Sequence, residues 1–391
     1  MAATRTTQTT HTTLEQLLAA REIVICCGSG GVGKTTTAAA VAAQAAVHLG
    51  GKVLVLTVDP AKRLANALGL EQFGNVEIRV PSEAFAESGV TPHGELWAAM
   101  LDTKQSWDDL VHRHAPDAET RDAILKNPLY TNITARFVQS HDYIAMERLH
   151  EIHAAGTYDL IVVDTPPTRN AIDFLEAPDR MADFFSSRLL RLLTVPARSR
   201  IISFASRPFY RVADTILGSQ FLEDIAEFFL LFQTMYGGFV ERANAVSRTL
   251  ADKRTTFLVV TTLESAPVRE SEFFVKALSD RKFHLGGIIF NKVLPDYLLD
   301  PEGVVVARVM TDEAGRLAAE LAQRGMPADQ LERVLREVGD SYLNFRVVAQ
   351  REAEERSALS ALPEVVASVP YFERDIADLG GLLALGDRVW R

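Results

Sequence analysis

Six short stretches of the chain carry almost nothing but apolar side chains: residues 23–27, 53–58, 160–163, 257–261, 285–290 and 365–369. None alternates with polar positions as a strand with one wet face does, so each predicts a strand buried on both sides. Longer helical patterns separate them. Helices between buried strands imply a mostly parallel sheet covered on both faces, which is a doubly wound α/β fold. Three intervals, about 95–155, 180–250 and 300–360, exceed the dozen or so residues that a simple crossover needs and predict helical insertions. In the last of them Leu317, Leu321, Leu331 and Leu335 stand among charges at helical spacing. The Thr-rich start lacks the apolar core of a secretory signal. The expected organisation is therefore a flexible tail over residues 1–18 and one α/β domain over 19–391.

Composition narrows the class. With 47% hydrophobic and 24% charged residues the chain reads as folded rather than disordered. A net charge of −10 argues against nucleic acid as a partner, since phosphate neutralisation needs a clustered cationic surface. The two cysteines, Cys26 and Cys27, are adjacent in an apolar run, where alternation would turn them to opposite faces and exclude a disulfide framework or a shared metal. Asp224 and Glu227 interrupt the longest strongly apolar stretch, and no run reaches the roughly 20 residues of a membrane span, so a cytoplasmic protein is expected.

The strongest chemical signal follows the first predicted strand. Gly28, Ser29, Gly30, Gly31, Val32, Gly33, Lys34 and Thr35 satisfy G-x-x-x-x-G-K-[ST], and the Ala-rich helical stretch from Thr36 follows at once. Glycines let the backbone curl so that successive N–H groups face phosphate oxygens, and the helix N-terminus adds a favourable dipole. In such a P-loop Lys34 reaches the β- and γ-phosphates and the Thr35 hydroxyl ligates Mg²⁺, so ATP and Mg²⁺ are the expected ligands. Asp59 and Asp164 each follow a predicted strand. Both carboxylates then stand at the carboxyl edge of the sheet beside the P-loop, where they can hold the metal or orient an attacking water.

Asp59-Pro60-Ala61 and Asp164-Thr165-Pro166-Pro167-Thr168, with Asn291-Lys292 after a later strand and Val369-Pro370-Tyr371 near the end, make the chain resemble the ArsA-type ATPases. That family includes the arsenite-pump ATPase and the targeting ATPase for tail-anchored membrane proteins. The resemblance implies that Asp59 lies in a first switch and positions the attacking water, and that Asp164 opens a second switch and supports Mg²⁺. It further implies that Asn291 hydrogen-bonds adenine while Pro370 and Tyr371 pack against the base. Hydrolysis would then open and close a dimer and move helical insertions that engage a membrane protein or membrane surface.

The departures are as informative. Family P-loops carry a lysine where this chain has Ser29, and that lysine reaches across the dimer to the partner's nucleotide. A serine places no cation there, which favours a heterodimer with a homologous subunit over a homodimer. It equally fits a slow or inactive nucleotide-binding regulatory subunit, and a soluble engine of small-solute efflux stays open. No cysteine follows Asn291, so the CxxC zinc clamp of the targeting enzyme is missing, as are the arsenite-binding cysteines. The first switch reads Ala61-Lys62-Arg63-Leu64 and the second Arg169-Asn170, where relatives carry Ala-His and Gly-His.

Between residues 184 and 213 six arginines, among them Arg188, Arg191 and Arg198, occur with no acid. Two readings stand: an anionic-membrane or client surface with snorkelling arginines, or a helical subdomain whose apolar face packs on the core. Phe228, Phe229 and Phe232 follow and could line a groove. His112, His114, His141, His150 and His153 cluster in the first insertion, but no tight imidazole and carboxylate constellation is expected from their spacing.

Overall fold

The structure is a computed structural model and describes residues 13–58, 62–70, 74–136, 138–166, 171–186, 228–233, 235–322, 327–360, 363–372 and 374–390. Its centre is an eight-stranded sheet. The strands are β1 (Ile23–Cys27), β2 (Lys52–Thr57), β3 (Ile78–Arg79), β4 (Glu95–Met100), β5 (Leu160–Asp164), β6 (Thr255–Thr261), β7 (Leu285–Val293) and β8 (Val365–Pro370), and they lie in the order β3-β4-β2-β5-β1-β6-β7-β8. Every pairing is parallel except that of β3 with β4.

All six strands expected from apolar runs are present. The two that were missed have physical reasons. β4 reads ELWAAM, with a charge and two half-exposed positions, and β3 is only two residues long at the sheet edge. The first six residues of the interval 95–155 therefore belong to the sheet, and the helical insertion begins after them.

Alternation along the strands builds two separate cores. Ile23, Ile25 and Cys27 of β1 join one, and Val24 and Cys26 join the other, so the adjacent cysteines do point to opposite faces. The first core is roofed by the helices of the insertion, α5 (Thr103–His114), α6 (Ala118–Lys126), α7 (Pro128–Arg136) and α8 (Val138–Ala154), with α9 (Ala171–Ser186), α10 (Tyr236–Ala251) and α11 (Ser265–Asp280). Phe228 and Phe232 lie inside it, with Phe232 stacked on Phe239 and tilted against Phe228 and Tyr130. They are core residues, not the lining of a groove, because aromatic rings of this size gain most by leaving water altogether.

The second core is covered by α1 (Leu14–Ala19), α2 (Lys34–His48), α3 (Lys62–Ala67), α4 (Ser82–Glu87) and the C-terminal α15 (Leu379–Trp390). Small side chains on α2, KTTTAAAVAAQAAVH, let it lie close against both sheet and α15. Gln44 fixes the latter contact by donating to Leu383 O and Asp387 Oδ1, each at 2.9 Å. The tail expected through residue 18 ends sooner. Thr13 and Gln16 form a reciprocal capping box and Leu14, Leu17 and Leu18 are buried, so residues 13–18 belong to the domain. The interval 300–360 forms α12 (Pro301–Asp312), α13 (Ala314–Leu321) and the long α14 (Ala328–Leu359). Gly339 of α14 meets Ala307 and Met310 of α12 so closely that a Cβ would lie 2.6 Å from the Ala307 carbonyl oxygen. Among the described residues, no helix is long and apolar enough to cross a membrane.

Candidate functional site

β1 runs into the glycine-rich loop, and the loop into α2, because the backbone there takes conformations that L side chains resist. Gly31 has φ +81° and Gly33, the residue before α2, has φ +93°, both in the left-handed region. At Gly28 a Cβ would lie 2.0 Å from the carbonyl oxygen of Val260 on β6, so only glycine fits between the strands. No side chain caps the N-terminus of α2, which leaves its first N–H groups turned to the loop as donors for an anion. Lys34 is held at that opening with 7% of its surface exposed.

Asp164, the last residue of β5, is fully buried. Its Oδ2 accepts from Thr35 Oγ1 at 2.6 Å and from Thr57 Oγ1 at 2.9 Å. Parallel register sets this up: Asp164 lies beside Thr57 of β2 on one side and Cys26 of β1 on the other. Thr165 then ties the start of the following segment to β1 by donating N–H (3.3 Å) and Oγ1 (2.9 Å) to Cys26 O. Thr35 and Asp164 thus present hard oxygens within hydrogen-bond distance of one another, the donor type that Mg²⁺ prefers. The buried thiols nearby are poor ligands. Burial pushes Cys27 up to about 12 and Cys26 well above its usual value, so neither supplies a thiolate.

Ser29 is buried and donates to Glu270 Oε2 of α11 at 2.6 Å. The rim of the loop therefore faces a carboxylate at the position where the resembling family carries a lysine. Sequence reasoning did not find Glu270, which stands 241 residues away.

Asn291 and Lys292 lie near the end of β7, where the register with β8 slips between Phe290 and Val293. This is a β-bulge, and it re-aims side chains that would otherwise alternate. Asn291 Nδ2 donates to Val32 O at 2.8 Å and Lys292 Nζ to Gly31 O at 3.4 Å. Gly33 is needed here as well, since a Cβ would lie 2.4 Å from Asn291 Nδ2. Tyr371 N donates to Val293 O at 3.3 Å, so Pro370 and the exposed Tyr371 share one sheet edge with Asn291. Asp59 lies outside the described residues, as do Pro60, Ala61, Pro167, Thr168, Arg169, Asn170 and the Arg-rich positions 188–211; the side chains of Lys62 and Arg63 are likewise outside the description.

One constellation was not foreseen. His114, Glu147 and Glu151 bring their ligand atoms within 4.8 Å of one another. Their charge is already matched. Arg242 pairs with Glu147, while Arg113 (2.5 Å) and Arg148 (3.4 Å) pair with Glu151. Burial, then Arg242 and Arg113, hold the His114 imidazole below its usual pKa. A divalent cation would have to displace guanidinium groups from both carboxylates, so this is a structural ion-pair network. Elsewhere His150 meets Thr249 at 3.2 Å and His153 meets Glu22 at 2.7 Å.

The loop, the buried lysine and the paired hydroxyl and carboxylate coincide with a family assignment: the model of the anion-transporting ATPases matches residues 21–314.

Proposed function

The chain belongs to the anion-transporting, ArsA-type ATPase family, and on that premise we propose that it binds ATP at the loop between β1 and α2 and hydrolyses it with Mg²⁺. The observation that carries this reading is the hydrogen bond from Thr35 to the buried Asp164 beside Lys34. Lys34 and the N–H groups at the uncapped start of α2 bind the phosphates. Thr35 and Asp164 would hold the Mg²⁺, which when bound would neutralise phosphate charge. Asp59, by resemblance, orients the attacking water, and Asn291, whose Nδ2 keeps a second hydrogen beyond its bond to Val32, receives the adenine beside Pro370 and Tyr371.

We propose that hydrolysis alters the segments after β2 and β5, because the first begins at Thr57 and Val58, which donate to the carboxylate and carbonyl of Asp164, and the second begins directly after Asp164. We propose that this opens and closes a dimer and shifts the helical layer toward a membrane-protein or membrane partner. The test is nucleotide binding and single-turnover hydrolysis by the purified chain. Lys34→Ala should abolish binding and Asp59→Asn should retain binding but stop turnover; unchanged affinity in the lysine variant would remove the site from consideration.

A second reading has its own observation. Ser29 offers no cation and is committed to Glu270, which favours a slowly hydrolysing subunit that pairs with a homologous ATPase carrying the missing lysine. Turnover by the lone chain equal to that of the mixture with such a subunit excludes it.

A further inference from the structure

A regular strand sends consecutive side chains to opposite faces, yet Asn291 and Lys292 both reach the phosphate loop. The bulge in β7 makes this possible, and Lys292 adopts φ +59° within it, a region that a residue with a Cβ avoids unless its surroundings impose it. The other non-glycine residue with positive φ among those described is Lys282, and its conformation merely ends α11, whose last carbonyls at Leu278 and Ser279 accept from Phe283 and Lys282. Lys292 ends no helix. Its exposed ammonium lies 3.4 Å from Gly31 O, and the adjoining Asn291 amide lies 2.8 Å from Val32 O. Two consecutive carbonyls of the loop thus receive donors from two consecutive residues.

The carbonyl of Gly31 and the N–H of Val32 belong to one peptide unit, as do the carbonyl of Val32 and the N–H of Gly33. A donor on the oxygen polarises the unit and strengthens donation from its nitrogen. A full positive charge does so more than a neutral amide. We propose that Lys292 is a positioning residue of the phosphate loop: it holds the Gly31 peptide by its carbonyl and relays positive charge through that peptide to the bound triphosphate. The role rests on the ATP-binding reading above and supplies, from within the same chain, part of the charge that Ser29 does not. Because negative charge grows on the leaving ADP as its bond to the γ-phosphoryl group breaks, the relay favours the transition state over the bound ground state.

Four variants test it. Lys292→Ala should lower kcat roughly 10-fold, less than the 10²–10³ of a donor in direct contact, while KM changes less than about 3-fold. Lys292→Gly removes the charge and relieves the backbone at once, so its melting temperature should match or exceed that of the parent while kcat falls as in the alanine variant. Lys292→Arg should restore kcat to within about 3-fold, since the charge returns. Calorimetric titration gives a readout apart from turnover: affinity for a nonhydrolysable ATP analogue should fall more than affinity for ADP in both uncharged variants. A glycine variant with parental kcat and parental discrimination between the two nucleotides overturns the proposal, as does an arginine variant as slow as the alanine one. Lys34→Ala, run alongside, separates the premises. Loss of binding there with unchanged Lys292 variants sinks only the relay, whereas unchanged binding there sinks the ATP site itself.

Discussion

The two ends of the same parallel sheet solve opposite electrostatic problems. At the amino edge, Glu22 before β1 meets His153 at 2.7 Å and Arg254 at 3.0 Å, and Arg254 also pairs with Asp252. His284 before β7 meets Glu364 before β8 at 2.9 Å. Carboxylates there meet arginine and imidazole groups at the surface. At the carboxyl edge, Asp164 is fully buried and its Oδ2 is held by two neutral hydroxyls, while α2 aims uncapped N–H groups at the same opening. Helix dipoles point their positive ends this way in a parallel α/β fold. A surface network of paired side chains is structural, whereas the carboxyl edge gathers a buried carboxylate, two hydroxyls, Lys34 and the uncapped start of α2 at one opening, the donor set that a nucleotide and its cation need.

The sharpest way to break that contrast is Asp164→Asn. The amide keeps the shape and can still accept from Thr35 and Thr57, so the fold should persist with a melting temperature near the parent's. Turnover should fall by roughly 10²–10³, the size of losing one preorganised electrostatic partner. A single-turnover assay with parallel calorimetry decides it. Retained turnover would place Asp164 with the structural acids and erase the difference between the edges.

Glu147 tests whether burial alone makes an acid functional, because it is buried as Asp164 is and ion-paired as Glu22 is. Arg242→Met should destabilise the fold by about 3 kcal/mol, the lower end for breaking a buried ion pair, since Arg242 keeps some exposure. Nucleotide affinity should not change. Burial already raises the Glu147 pKa above its usual value, against the pull of Arg242. An acid whose folded pKa is raised loses stability as pH climbs from its unfolded value of 4.5 through the folded one. Removing Arg242 should therefore cost more at pH 7 than at pH 4 in chemical denaturation, and a cost independent of pH would contradict the assignment.

Ser29→Lys moves the rim of the carboxyl edge toward the family pattern. Glu270 stands 2.6 Å from the serine hydroxyl and will compete for the new ammonium. The lone chain should then gain only about 10-fold in turnover, a small part of the 10³–10⁵ that a trans cation can contribute. Adding Glu270→Gln should release the lysine and raise the gain further. If neither variant exceeds the parent under conditions where the chain pairs with itself, the serine is not what limits hydrolysis.

What the sequence made legible follows from the same physics. Five of the six strands that stand out, β1, β2, β5, β6 and β7, are buried on both faces along most of their length, while β8, at the sheet edge, is apolar in sequence but alternates buried with more exposed positions; Lys34, Thr35 and Asp164 sit in a motif or at the end of such a run. β4 was hidden by Glu95 and by half-exposed positions. The Thr13 and Gln16 spacing of the first helix was a readable capping box, obscured by the Thr-rich stretch before it. Glu270 carries no local signal, and Lys292, though it stands in the Asn291-Lys292 pair, gives no sign of its role, because their contacts with Ser29 and Gly31 join residues 241 and 261 apart and exist only once the strand order and the β7 bulge are set.

The smallest expected effect lies at the amino edge and fixes the other end of the comparison. The hydrogen bond from His153, then Arg254, hold the Glu22 carboxyl below its usual value of 4.5 against the opposing effect of burial. A depressed folded pKa contributes stability that is present above the unfolded value and lost as pH falls through the folded one. The parent should therefore lose stability below pH 4.5 more steeply than Glu22→Gln, which has no proton to take up. Because the pair is solvent-exposed, the difference at neutral pH should stay below about 1 kcal/mol and shrink further in high salt. ATP turnover should be the same in both proteins. Denaturation profiles across pH 3–7 that superimpose would mean that the ion pairs of this edge contribute nothing measurable, and a loss of turnover in Glu22→Gln would mean that the two ends of the sheet are coupled.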